Sequence, residues 1–236
     1  MQKKLRKDND KQLESMAKFE NLPEFKVDKL SPMLLKKADK PFNSNDYIFE
    51  LKFDGFRCIA EITKENTNLH SRRGGSFNSK FPELICLHKQ CKSPCILDGE
   101  IVFINNLGVP DFSFLQKRRA LLSKIQIEKY ASEYPTTFVA FDIISANGKD
   151  LTIFPLLTRK DILKKLVNEN STINIIRYIE NNGIDLFNAI KEKGLEGIIA
   201  KKKNSIYHIG KRRDDWVKIT TKPHDEYRQF NNKLKK

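Results

Sequence analysis

Residues 47–57 read Tyr47-Ile48-Phe49-Glu50-Leu51-Lys52-Phe53-Asp54-Gly55-Phe56-Arg57, an alternating strand that runs into a sharp turn. Tyr47, Phe49, Leu51 and Phe53 fall on one face, and Ile48, Glu50 and Lys52 on the other, with Asp54 continuing the polar side. At a rise of ~3.3 Å per residue, same-face neighbours sit about 6–7 Å apart, so the Lys52 amine has a carboxylate on either side. Gly55 permits a tight turn that swings Arg57 back towards the same place.

Four further segments repeat the device of a charged group at the end of an apolar strand. Asp98-Gly99-Glu100 sits between apolar runs, and Glu196-Gly197-Ile198-Ile199-Ala200-Lys201 spaces an acid and a base along one strand. Trp216-Val217-Lys218-Ile219 puts Trp216 and Lys218 on one face, and Ser71-Arg72-Arg73-Gly74-Gly75 sets two guanidinium groups beside a flexible turn. Each alone reads equally well as a solvated strand end. Five in one chain point to a constructed site.

Around these segments the pattern predicts strands over 57–62, 68–71, 137–144, 197–202 and 216–220. It predicts helices over 81–90, 121–134, 159–167 and 184–193. A strand pair, or one bent strand broken at Asp98-Gly99, is expected over 96–104. Strands and helices mix without a βαβ rhythm, which argues for an α+β fold with antiparallel sheets.

The 236 residues, 39% apolar and 10% aromatic, suffice for a real core. No run approaches the ~18 apolar residues of a membrane span, and the N-terminal stretch lacks the apolar centre of a secretory signal, so the cytosol is the expected compartment and no membrane partner is expected. Lys and Arg number 44 against 30 Asp and Glu, a net charge of +14 that suits a polyanionic partner. The last 46 residues hold fourteen Lys/Arg and six Asp/Glu, including Lys201-Lys202-Lys203 and Lys211-Arg212-Arg213, and read as a phosphate-tracking surface. The cysteines Cys58, Cys86, Cys91 and Cys95 lack a paired CxxC, which argues against zinc, and Cys58 and Cys95 read as small buried residues.

The order and spacing of the five segments resemble the covalent nucleotidyltransferases, the superfamily of ATP-dependent DNA ligases, RNA ligases and mRNA capping enzymes. Lys52-x-Asp54-Gly55-x-Arg57 matches the motif of the nucleophilic lysine. Leu97-Asp98-Gly99-Glu100-Ile101-Val102, Phe141-Asp142-Ile143, Glu196 to Lys201 and Trp216 to Ile219 match the motifs that follow. The stretch from Gly108 to Arg118, the run Pro155-Leu156-Leu157-Thr158-Arg159 and the stretch from Ser205 to Arg213 are similar to bacterial ATP-dependent DNA ligases, in particular the ligase domain used in non-homologous end joining. The resemblance covers residues 30–222. It implies two antiparallel sheets flanked by helices, an ATP-grasp-like ligase core with the ATP pocket in the groove between the sheets.

The resemblance also implies roles. Lys52 attacks the α-phosphate of ATP, which requires a neutral amine, and releases pyrophosphate. The adenylate then passes to a DNA 5′-phosphate, and a 3′-hydroxyl displaces AMP. Glu50 would accept from the adenine amino group, Phe141 would stack on the base, and Arg57 and Glu100 would hold the ribose. Arg72 would contact ribose or nucleic-acid phosphate, with Arg73 as its substitute. Glu196, with Glu100, would hold Mg²⁺ or Mn²⁺. Lys218 would bind the α-phosphate, while Asp54 reads as structural. Lys201 belongs to the nucleotide site, but on a regular strand it faces away from Glu196, so one of the two needs a bulge. Thr220 stands where the family has a second lysine, and Lys222 could compensate only if the strand bends.

The organisation expected is a charged arm over 1–29, the adenylation domain over 30–222 and a basic tail over 223–236. Only 18 residues follow Lys218, too few for the OB domain of this family, so no OB domain is expected. The partners implied are nicked or broken DNA duplex ends, together with a separate end-binding or OB-containing protein. An RNA ligase of the same chemistry and a non-catalytic DNA-end-binding module are the rival readings.

Overall fold

The computed structural model describes residues 22–26 and 30–221; the N-terminal arm, apart from residues 22–26, the basic tail and Lys222 lie outside the described residues. Strands β1 (Leu34–Lys37), β2 (Ser44–Leu51), β3 (Phe56–Ile62), β4 (Thr67–Ser71) and β5 (Cys95–Val102) come first. Helices α1 (Phe112–Ala120) and α2 (Lys124–Glu133) follow, then β6 (Thr137–Ala146), β7 (Lys149–Asp150), α3 (Leu156–Leu166), β8 (Ile173–Ile175) and β9 (Tyr178–Asn181). Helix α4 (Gly183–Glu192) and strands β10 (Gly197–Lys202) and β11 (Arg212–Thr220) complete the order.

The strands form two sheets. The first runs β1-β11-β10-β2-β9, and the second runs β4-β3-β5-β6-β7 with β8 added beside β6. The expected α+β class holds, with one refinement: β1 pairs with β11, and β8 with β6, in parallel. Three apolar clusters follow from strand alternation. Phe49, Ile198, Ala200 and Ile219 on the outer face of the first sheet pack with Ile190 of α4. Cys58, Leu97, Phe138, Ala140 and Ile143 on the outer face of the second sheet pack with Phe81, Leu84, Leu87 and Leu163. Ile48, Trp216, Ile59, Val102, Val139 and Phe141 meet between the sheets.

Three local expectations are corrected. Residues 81–90 are two 3₁₀ turns, Pro82–Leu84 and Leu87–Gln90, instead of one α-helix. Their fully buried Phe81, Leu84 and Leu87 recur every third residue, the spacing at which side chains eclipse in a 3₁₀ turn. The helix expected over 121–134 starts at Lys124, and a separate helix α1 precedes it, capped where Asp111 Oδ1 accepts from the Ser113 backbone N–H at 2.9 Å. Strand β5 is continuous through Asp98-Gly99, and the irregularity is a shift of its register against β6 between Ile96 and Leu97 and between Asp98 and Gly99.

Gly99 explains how β5 crosses that point. A Cβ there would lie 2.4 Å from Phe138 Cζ and 2.7 Å from the Val139 carbonyl oxygen. Gly99→Ala should therefore lower the unfolding free energy by about 1–3 kcal/mol, the scale of an overpacked core. Urea melts measure it, and a variant as stable as the parent would contradict this packing.

Candidate active site

The cleft is built by register. In the first sheet Glu50 lies opposite Ile199, which lies opposite Lys218, and Ile48 lies opposite Lys201, which lies opposite Trp216. Partners in register share a face, so Glu50, Lys201, Trp216 and Lys218 all point at the second sheet. From the second sheet Arg57 lies opposite Glu100, and Ile59 opposite Asp98. The pocket between them is lined by Leu35, Glu50, Lys52, Phe53, Arg57, Glu100, Phe141, Ile176, Lys201 and Trp216 among others, and encloses about 430 Å³ with its open mouth included.

Lys52 sits one residue past the end of β2, where its backbone N–H donates to the Gly197 carbonyl at 2.9 Å. Its Nζ is 2.5 Å from Glu196 Oε1, and the two side chains are 18% and 13% exposed, so the amine lies in the cleft and not in bulk solvent. Glu196 precedes β10 and is turned in by Gly197, whose φ of +150° favours glycine and whose absent Cβ would stand 2.2 Å from the Ile219 carbonyl oxygen. Hence no bulge in β10 is needed: Lys201 reaches the pocket from a regular strand, and the turn before the strand brings in Glu196.

Glu196 Oε2 is buried and has no hydrogen-bond partner. Burial pushes the Glu100 carboxyl up to about 8; Lys52 and Arg57 oppose the shift, and Glu196 and Asp98 add to it. An orphaned carboxylate oxygen beside a second acid held near neutrality fits a divalent cation. Among the described residues no group of three or more His, Cys, Asp or Glu could hold a metal, so the remaining ligands would be phosphate oxygens and water.

Glu50 is 1% exposed. Its Oε2 lies 2.7 Å from Lys201 Nζ and its Oε1 pairs with Lys160 Nζ. These are ion pairs in which neither carboxylate oxygen has an aligned hydrogen bond. Lys201 Nζ also lies 4.0 Å from the Trp216 ring centroid and 4.4 Å from that of Phe141. Burial pulls the Lys201 amine down to about 8 against the attraction of Glu50, and Lys160 adds to the fall. Phe141 is 6% exposed; it belongs to the core between the sheets and also lines the pocket.

Arg57 is more constrained than its expected ribose role required. Nε and Nη2 donate to Asp98 at 2.8 and 2.6 Å, and Nη2 also donates to the Met33 carbonyl at 3.0 Å. Arg57 also lines the pocket. Lys218 is half-buried, and its amine is held below its ordinary range, first by burial and then by the Lys52 ammonium, with Arg212 and Arg72 adding and Glu196 opposing. Arg72 stands on the exposed turn after β4, next to the equally exposed Arg73, and does not line the pocket. Thr220, opposite Gly197, shares the Lys218 face.

The basic run 201–203 is not one surface. Lys201 is buried on Glu50, Lys202 lies 3.6 Å from Asp215 and Lys203 pairs with Glu180 at 2.5 Å. Arg212 donates to the Leu35 carbonyl. Lys211 and Arg213 are exposed. Sequence reasoning singled out the Asp98 segment but gave Asp98 itself no role, and it missed Tyr207 and Lys160 as parts of the site. Tyr207 O–H donates to Asp98 Oδ2 at 2.6 Å and accepts from the Met33 backbone N–H at 3.0 Å. For Lys160 a signal existed: Leu156, Arg159, Lys160 and Leu163 fall on one helix face, so a lysine stands in the apolar stripe.

The chain is similar to known proteins. The profile of the ATP dependent DNA ligase domain matches residues 32–220. The SPbeta prophage-derived DNA ligase-like protein LigB of Bacillus subtilis is 37% identical over 190 residues, covering 80% of this chain and 67% of that protein. The bifunctional non-homologous end joining protein LigD of B. subtilis is 34% identical over 190 residues, and the chain spans 31% of its length. A structure of mycobacterial DNA ligase D complexed with ATP and MES superposes with a TM-score of 0.68 at 28% identity, over 83% of this chain and 62% of that one.

Asp98 is fully buried beneath Arg57. Asp98→Asn should cost about 3–5 kcal/mol, since it leaves a largely buried guanidinium without its counter-charge. Thermal melts in matched buffer test this, and a loss below about 1 kcal/mol, typical of a surface pair, would contradict it.

Proposed function

This chain belongs to the family of ATP-dependent DNA ligase domains, and we propose that it catalyses adenylyl transfer through a covalent Lys52–AMP intermediate. The observation that carries the proposal is the Lys52 amine held at 2.5 Å from Glu196 at the mouth of a cleft lined by Glu50, Phe141 and Arg57. Lys52 Nζ attacks the α-phosphorus of ATP. The N–P bond forms as the bond to the β-phosphate oxygen breaks, pyrophosphate leaves with the electron pair, and the amine proton passes to Glu196 or to water. In the second step a DNA 5′-phosphate oxygen attacks the same phosphorus and the N–P bond breaks. In the third the 3′-hydroxyl oxygen attacks the activated 5′-phosphate, AMP leaves, and the strand is joined.

The residues divide this work. Lys218, on the cleft face, meets the α-phosphate and stabilises the charge that develops there. Glu50 accepts from the adenine 6-amino group, and the ring of Phe141 packs on the base. Arg57 and Glu100 meet the ribose. Glu196 and Glu100 hold a divalent cation, Mg²⁺ or Mn²⁺, which when bound screens the charge of the phosphates. Arg72, on the exposed turn after β4, meets a DNA phosphate or the ribose. Nicked or broken duplex ends are the substrate we propose, as part of strand joining in DNA repair or recombination. A partner carrying an OB fold would supply the far side of the grip on DNA. Among the described residues, no helix is long and apolar enough to cross a membrane.

Incubation with α-labelled ATP and Mg²⁺ should label the protein, and Lys52→Ala should abolish the label. Lys218→Thr should keep it at lower yield. Persistent labelling of Lys52→Ala would refute the assignment, and duplex binding with no labelling of the parent would favour the non-catalytic reading. A pH dependence follows from Glu100. Its carboxyl keeps the proton below about 8, so cation binding must displace it there. Mn²⁺ affinity in the presence of ATP should therefore rise between pH 6.5 and 8.5 with uptake of the metal coupled to proton release. Calorimetry in buffers of different ionisation enthalpy measures that release, and Glu100→Gln should remove it. An unchanged release in Glu100→Gln would contradict the role.

A further inference from the structure

We infer that Lys160 is a positioning residue for nucleobase selection, its buried ammonium joining the carboxylate that reads the purine edge to the strand that carries the ring against the purine face. The inference rests on the roles proposed above for Glu50 and Phe141. Lys160 lies on α3, outside every motif that pointed to the site. It is 5% exposed, and a lysine is kept at such depth only where partners replace its lost hydration.

Its partners are specific. Lys160 Nζ pairs with Glu50 Oε1 and donates to the Phe141 carbonyl at 3.1 Å, while the Tyr178 ring centroid lies 5.4 Å away. Glu50 is on β2 of the first sheet and Phe141 on β6 of the second. One ammonium therefore spans the two sheets behind the pocket. Lys201 holds the other oxygen of Glu50, but it stands on β10, the direct neighbour of β2 in the same sheet. Its reach to the second sheet is an approach of 4.4 Å to the Phe141 ring, with no hydrogen bond to the strand that carries it. Lys160 bonds that strand's backbone as well as Glu50, and so fixes the distance between the sheets more firmly.

The consequence is a selective site. A carboxylate with a lysine on each oxygen offers its lone pairs as acceptors. It welcomes the 6-amino group of adenine and repels the 6-oxo group of guanine. Its selectivity depends on how firmly the oxygen is set relative to a base lying on Phe141. That setting is what Lys160 supplies.

The test compares ATP with purine riboside 5′-triphosphate, which lacks only the 6-amino group, in formation of the AMP adduct on the full chain. The parent should prefer ATP. Lys160→Met should reduce that preference about tenfold, the scale of one charge-assisted hydrogen bond, through a raised KM for ATP and with little change at saturation. Lys160→Arg, which keeps the charge, should retain most of the preference. Glu50→Gln should lose it, and adding Lys160→Met to Glu50→Gln should change it no further. The double variant leaves no unpaired carboxylate, so it reports even if Lys160→Met alone is unstable to melting. Equal losses for both nucleotides, or the same loss of preference with and without Glu50, would overturn the inference. Full preference retained in Glu50→Gln would overturn the reading of Glu50 and this inference with it, whereas no adduct on the parent would overturn the proposed activity itself.

Discussion

Asp98 ties the two sheets together with one buried carboxylate. It accepts from Arg57 Nε and Nη2 and from the Tyr207 hydroxyl, and Arg57 and Tyr207 in turn hold the carbonyl and the N–H of Met33. Asp98 and Arg57 belong to the second sheet, whereas Met33 leads into β1 of the first. A buried pair of this kind need not stabilise the fold more than apolar packing would. Its worth lies in register: the fork geometry of a guanidinium on a carboxylate aligns Arg57 within the second sheet, and the bonds of Arg57 and Tyr207 to Met33 carry that alignment to the first. The ring of Phe141, 4.7 Å from the Arg57 guanidinium, is positioned by the same group.

Around this tie the site separates its charges by depth. Glu50, Lys160 and Lys201 lie at the back, almost wholly out of water, and compensate one another. Lys52 and Glu196 lie further out, paired but still reached by solvent, where an amine can exchange its proton and meet a phosphate. Lys218, half-buried on the same sheet face, feels the charges of Lys52, Arg212 and Arg72, a crowding of cations that favours the arrival of an anion. The order matches a nucleotide entering base first, with its phosphates left among the outer cations.

Much of this was legible in the sequence because it obeys short-range rules. The alternation in Tyr47 to Lys52 assigned faces correctly, since a strand has period two and both faces here are used. The acid–glycine pairs pointed to Glu100 and Glu196 because only glycine tolerates the close approaches at Gly99 and Gly197. What escaped notice was set by tertiary contact. Strand β9 is exposed throughout, and β8 alternates over only three residues, too few to read as a strand. Helix α1 buries Arg118 in a core position, where it pairs with Glu83, and so lacks an apolar stripe to read. Lys160 failed for the same reason: a cation in a buried row reads as a mistake until its partner on another strand is seen. The basic run 201–203 misled in the opposite sense, since alternation buries its first member and acidic neighbours engage the other two.

The central claim is that one amine, Lys52, captures the adenylyl group. Site-resolved tandem mass spectrometry of the protein after reaction with ATP and Mg²⁺ tests it most directly. The account predicts a single AMP on the peptide that contains Lys52, joined through a phosphoramidate that acid removes. An adenylate carried by Lys201, Lys218 or any other side chain, with Lys52 unmodified, would contradict it.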